Sequence, residues 1–382
     1  MRSSVFAVAL ATLLSITVFA QPPRSDPDGV ANRRPSAFDL SVPDEALAPN
    51  PNVFPQNRIN VRIPADAGFT SETFKKAQFG DPVAQTVIGW AYATCKGVNR
   101  DAVQAVRWLQ RASVEGSITA KFCLGVMYMD DSLVKKDTAE AYRWLSSAAR
   151  LGDHRAEVDL ALLYLRGEGV AQNYGRAIQL FEAAAKHKVP AAEFNVGVMY
   201  ERGLGVNAST KEAIKWYTRA SKHGAPPADF RLGLLMLKGD AEGGPERGLT
   251  LIKSAAEAGI ADAQFAMGLL LQNGEHLPKD LAASADWYER GAQNGSNSAR
   301  ANLGHMYEKG WGVKRDFQKA FEFTKIAAEH GVFEAEGNLA IYYERGIGTA
   351  VDHDAANLWK NRAARDKDSV ESIRMEQTVA SD

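Results

Sequence analysis

Cysteine is almost missing from this chain of 382 residues, which holds only Cys95 and Cys123. No framework of disulfides can therefore hold it together. An excess of charge of one sign is missing too. Lys and Arg number 45 against 46 Asp and Glu, for a formal net charge of -1. That balance excludes the broad basic face needed to offset phosphate, and no nucleic-acid partner is expected. Beyond the N-terminus no apolar run approaches the ~20 residues that cross a bilayer as a helix, so no transmembrane segment is expected in the mature chain.

Catalytic signatures are also lacking. There is no G-x-S-x-G, S-x-x-K, H-E-x-x-H or phosphate-loop pattern on which to build an active site or seat a cofactor. The seven histidines are scattered. His187, His223 and His330 recur at one place late in a helix, but equivalent places in stacked helices lie roughly ~10 Å apart. Zinc needs several ligands within ~2.0–2.3 Å, so no metal site is expected. These histidines read as exposed residues favoured by the negative end of a helix dipole.

What is present begins with the first twenty residues. Arg2 precedes an apolar run from Val5 to Phe19, and Val18-Phe19-Ala20 has the small residues a signal peptidase needs. Residues 1–20 are expected to be a signal peptide, and the mature chain an exported protein of a bacterial periplasm, or secreted. Residues 21–68 carry nine prolines and no helical period, and are expected to form a disordered leader. Residues 368–382 are expected to form a disordered tail.

Between these ends the chain repeats itself. A fragment A-x-x-x-[LIVM]-[GA]-x-x-[YML] begins at Ala84, Ala120, Ala156, Ala192, Ala228, Ala263, Ala299 and Ala335, in steps of 36 residues except for one of 35. A Gly-containing turn follows, then A-x-x-W-x-x-x-A, as in Ala105/Trp108/Ala112 and Ala213/Trp216/Ala220. Five of the seven tryptophans (Trp108, Trp144, Trp216, Trp287 and Trp359) share that one repeat position.

The pattern specifies two antiparallel helices, each with an apolar stripe. The recurring Ala and Gly let backbones approach, and the Trp is expected to fill the space between repeats. Asp101, Asp137, Asp280, Asp316 and Ser209 fall where second helices start and are expected to be N-caps. Stacked first helices run parallel, which separates Cys95 from Cys123 by eight residues, about 12 Å along the axis. A disulfide needs Cα atoms within ~7 Å, so two free thiols are expected. In the fifth repeat Gly248 replaces the second-helix Ala and the turn becomes Gly239 to Pro245, and in the sixth the turn runs from Gly274 to Pro278; this middle zone is expected to bend or loosen the superhelix.

This pattern strongly resembles the Sel1-like repeat, a relative of the tetratricopeptide repeat, from Ala84 to about Lys367. The resemblance implies an all-α fold, a right-handed superhelical solenoid of about eight antiparallel helix-pair repeats over 81–367. A half repeat over 69–80 would cap it. It further implies a non-enzymatic scaffold, adaptor or regulator of the cell envelope that binds a protein or peptide. The alternative is a cell-wall enzyme or binder, since some family members have been assigned penicillin binding or weak β-lactam hydrolysis.

In the related tetratricopeptide repeats the first helices line a concave groove, and partners meet places that the packing motif does not use. Carried over by register, one such row includes Phe122, Phe194, Phe230 and Phe265. A second includes Val126, Leu162, Val198, Leu234, Leu269 and His305. The second row has an apolar residue in five consecutive repeats, and with a charged rim it suits an extended or helical peptide. The phenylalanines could equally pack between neighbouring first helices. Trp311, in a turn between Gly310 and Gly312, is a separate candidate anchor.

Overall fold

The computed structural model of the chain describes residues 69–365, position 130 excepted. The signal peptide, the leader and the tail expected from sequence lie outside the described residues. Among the described residues the regular structure is helical, with no strand. A short helix α1 (Ser71–Gln78) precedes eight helix hairpins. The first four pair α2 (Pro82–Thr94) with α3 (Ala102–Val114), α4 (Ile118–Met127) with α5 (Thr138–Arg150), α6 (His154–Arg166) with α7 (Tyr174–Lys186), and α8 (Pro190–Arg202) with α9 (Thr210–Lys222). The next three pair α10 (Pro226–Lys238) with α11 (Gly244–Glu257), α12 (Ala261–Asn273) with α13 (Leu281–Gln293), and α14 (Asn297–Lys309) with α15 (Phe317–Glu329). The last joins α16 (Phe333–Arg345) to α17 (353–365). The chain divides into two compact units between Ala228 and Asp229.

Most hairpins close by the same local chemistry; the exceptions are the second, where α4 ends at Tyr128 in the right-handed region, and the fifth, where Gly243 gives α11 no side-chain cap. In the seventh, Gly310 ends α14 in the left-handed region at φ 70°. The Asp316 amide donates to the Tyr307 carbonyl at 2.9 Å, and the Asp316 side chain accepts from the Lys319 amide at 3.1 Å to cap α15. Asp101, Asp137, Ser209 and Asp280 cap their helices in the same way, as the sequence led us to expect. Asn173 does so for α7. The second glycine of the turn does more than relieve φ. A Cβ on Gly312 would overlap the Leu281 carbonyl at the start of α13, so the turn rests on the backbone of the preceding repeat.

Inside each hairpin a small residue faces a large one. A Cβ built on Gly125 of α4 would lie 2.6 Å from Leu145 Cγ of α5. Gly89 faces Leu109, Gly197 faces Tyr217, and Gly268 faces Tyr288 in the same arrangement. Leu109, Leu145, Phe181, Tyr217, Ile252 and Tyr288 are fully buried. Each sits one place after the position of the repeated Trp. The tryptophans themselves are buried only at Trp108; Trp144, Trp216, Trp287 and Trp359 are half-buried. The expectation that Trp144 and Trp216 fill the interior is therefore corrected. An arginine three places on covers four of these rings, as Arg219 covers Trp216 with its guanidinium 4.3 Å from the ring centre.

Gly233 of α10 and Gly248 of α11 face each other so closely that a Cβ on either would lie under 3 Å from the other's carbonyl oxygen. Losing the second-helix Ala lets these two backbones meet. At the N-terminus, Ala77 of α1 joins Ala84, Ile88 and Trp108 in one cluster, with Phe69 and Phe74 packed on it. α1 thus covers the open face of the first hairpin.

Candidate protein-interaction surface

The first helices are apolar on nearly every side, and a helix of that kind has to be enclosed. The first helices α4, α6, α8, α12 and α14 each lie against their own second helix and the helix that precedes them in the chain, and α2 touches α4, α4 touches α6, and α12 touches α14. The row expected to line an open groove falls in these contacts. Phe122, Val126, Leu162, Val198, Phe230, Leu234, Phe265 and Leu269 are each only 1 to 7% exposed. Phe122 and Val126 join Leu145, Leu160 and Leu163 in one cluster, with Arg155 lying 4.3 Å over the Phe122 ring. These eight side chains are enclosed and are not available as partner anchors.

The other three candidates are half-buried. Phe194 lies with its ring centre 5.7 Å from that of Tyr217. Trp311 folds back on the cluster of Phe265, Tyr288 and Leu303, and His305 meets its ring edge-on at 5.2 Å. His305 also reaches Glu308, which takes Lys309 at 2.9 Å and the Tyr342 hydroxyl at 3.0 Å. Burial acts to raise the Glu308 carboxyl, but those hydrogen bonds and the Lys309 charge outweigh it and hold the group down at about 2. Glu308 therefore ties α14 to α16 as an anion.

Other polar groups inside the stack are likewise structural. The buried Glu193 carboxylate sits 2.6 Å from His223 Nδ1 and 3.0 Å from Arg219. Gln85 and Gln264, at the equivalent place in their repeats, donate to the last turn of the preceding second helix through the Ala77 and Ala256 carbonyls. Among the described residues no group of three or more His, Cys, Asp or Glu could hold a metal ion. Both cysteines are free; Cys95 is exposed, and burial pushes the Cys123 thiol up to about 12.

A surface that sequence reasoning missed lies between second helices. α5 and α7 flank a cleft of about 660 Å³ floored by α6. Leu160, Leu180 and Tyr164 supply its apolar part, and the Tyr164 ring meets Tyr142 edge-on at 5.8 Å with their hydroxyls 3.1 Å apart. Arg143, Arg150 and Arg176 stand around it. Arg143 is paired with Glu140, and Arg176 reaches the neutral Gln179 at 3.3 Å and the Tyr164 hydroxyl. The single acid of the lining, Glu157, is held by His154 at 3.0 Å. Trp144 Nε1 and Ser146 Oγ, also in the lining, are buried without an acceptor. A buried donor in that state costs roughly 1–3 kcal/mol. The sequence carried no distinct signal for it: charged residues such as Lys186, Lys222 and Arg365 stand at the places equivalent to Arg150, and Glu140, Glu212, Arg247 and Lys319 at those equivalent to Arg176.

These observations define an all-α helical-hairpin repeat protein. A family model described as the Sel1 repeat matches eight segments, residues 82–117, 120–153, 154–189, 190–224, 226–260, 261–296, 297–332 and 333–368. The chain belongs to the Sel1 repeat family. It is similar to a solved Sel1 repeat protein from Oxalobacter formigenes, 26% identical over 96% of this chain and 99% of that one, with a TM-score of 0.56. A protective antigen present in uropathogenic Escherichia coli strains is 25% identical, covering 78% of this chain and 74% of that one at a TM-score of 0.48. Chitin synthase regulator SKT5 of Malassezia restricta is 43% identical over 47 residues, which is 12% of this chain. The match spans only 3% of that regulator's length. Sel1 repeats generally mediate protein–protein interaction and are generally non-enzymatic scaffolds. Among the described residues no helix is long and apolar enough to cross a membrane.

Proposed function

We propose that this chain is an exported, non-enzymatic scaffold or adaptor of the cell envelope that works by holding a protein partner. The observation that carries this reading is the run of eight Sel1 repeats, which accounts for the conserved geometry of the hairpins without any catalytic constellation. Export rests on Arg2, the apolar run from Val5 to Phe19, and Val18-Phe19-Ala20. The partner has to be met by side chains left exposed on and between the helices, because the apolar row from Phe122 to Leu269 is used in packing.

Mass spectrometry of the protein from its native envelope fraction tests the export. A chain beginning at Gln21 is the expected species, and an intact Met1 on cytoplasmic material would overturn the localisation. Labelling with a fluorescent penicillin tests the non-enzymatic part. Saturable labelling that unlabelled drug blocks would replace the scaffold with a cell-wall enzyme or binder.

A further inference from the structure

From the chemistry of the cleft between α5 and α7, we infer that it is the docking site for an acidic peptide segment of a protein partner, one that presents a large apolar side chain among carboxylates. The inference rests on the scaffold reading and gives it a surface and a partner chemistry. Charge decides the sign of the occupant. Of the three arginines around the cleft, the Arg150 side chain has no ion pair or hydrogen bond among the described residues and Arg176 has only the neutral Gln179 and Tyr164, while Glu157 is already engaged by His154. The uncompensated groups are cations, and planar guanidinium forks match carboxylates.

The Trp144 indole N–H agrees with this sign, since it can only donate and has no partner. Shape and polarity decide the size. At about 660 Å³ the cleft exceeds what a single carboxylate fills, and its apolar floor calls for a side chain as well as an anion. It opens along the gap between two helices, which suits an extended segment. Placing such a segment here leaves the buried rows of the first helices undisturbed, so docking needs no opening of the stack.

The test uses the full-length mature chain and a fluorescein-labelled peptide of alternating glutamate and leucine, followed by anisotropy. Its glutamine–leucine counterpart and inorganic phosphate serve as comparison ligands. The acidic peptide is expected to bind at least about ten-fold more tightly than the neutral one, with affinity falling as salt rises. Arg150→Glu combined with Arg176→Glu should weaken it by about ten-fold or more, while Arg150→Lys with Arg176→Lys keeps most of the binding. Both arginines are exposed, so unchanged circular dichroism is expected; should the double Glu variant misfold, the Arg150→Ala and Arg176→Ala pair replaces it.

Equal binding of the two peptides, or binding indifferent to the charge reversal, would overturn the inference. So would displacement of the peptide by equimolar phosphate, which would assign the cleft to small anions. The scaffold reading fails separately. A native partner that the charge-reversed chain still captures would sink the cleft alone, whereas peptide binding by a chain with no protein partner in its envelope would sink the scaffold alone.

Discussion

Replacing Leu145 with Ala should cost this protein about 3–4 kcal/mol, and adding Gly125→Ala should return part of that loss. Leu145 is fully enclosed, so truncation removes its transfer energy and leaves a cavity. Gly125→Ala alone sets two effects against each other. Alanine is better than glycine in a helix interior by about 1 kcal/mol. The new methyl, however, would lie 2.6 Å from Leu145 Cγ, and overpacking of that kind costs about 1–3 kcal/mol. The single Gly125→Ala variant should therefore be destabilised by about 1 kcal/mol. In the Leu145→Ala background the clash is gone, the methyl enters the cavity, and the helix preference remains. The double variant should be more stable than Leu145→Ala, with a coupling of about 2 kcal/mol between the sites. Because repeats rest mainly on their neighbours, the change should concentrate in α4, α5 and α6. Urea unfolding with hydrogen exchange reads both quantities. Strict additivity, or a Gly125→Ala variant more stable than the parent, would refute the small-against-large account of the hairpin. Trp144→Ala is the internal control: the ring is half-buried, so it should cost less than Leu145→Ala.

Three further outcomes follow from named contacts. Gly312→Ala should destabilise the second unit by about 2 kcal/mol or more in thermal melts, because its Cβ meets the Leu281 carbonyl and its φ of 67° disfavours an L side chain. A maleimide should label Cys95 rapidly in the native chain and Cys123 only after unfolding, given the exposure of one thiol and the burial of the other. Glu308 is held down at about 2 from an ordinary value of 4.5, so its contribution is present above pH 4.5 and is lost as pH falls toward 2. Acid titration followed by hydrogen exchange in α14 and α16 should show that loss in the parent, and Glu308→Gln should remove it while lowering stability at neutral pH.

The hairpins, their caps and the eight-fold repeat were legible because each is local chemistry written at a fixed spacing. Asp316 caps α15 through a bond to a residue three places away, and nothing distant can change that. The accessibility of the row from Phe122 to Leu269 was not legible from register alone. Register assigns a side chain to a face but does not say how closely the next helix approaches that face. A clue lay in the composition of α6, where Val158, Leu160, Leu162, Leu163 and Leu165 cover most of the circumference and leave only a narrow side to Glu157 and Tyr164. The same limit misplaced the tryptophans. Trp144 marks the repeat strongly because it is rare, yet the enclosed residue is Leu145, whose partner is the absent side chain of Gly125. The cleft between α5 and α7 escaped notice because charge is common at the places of Arg150 and Arg176, and register does not say which charges find a partner across neighbouring helices.

The claim that this chain holds a protein partner is tested most directly by photo-crosslinking in the native host. A photoreactive amino acid placed at Arg150, on the cleft between α5 and α7, should give a discrete covalent adduct with one protein. The same residue at the exposed Lys222, away from the cleft lining, should give none. Absence of a discrete adduct from Arg150 and from every other exposed position tried would contradict the account.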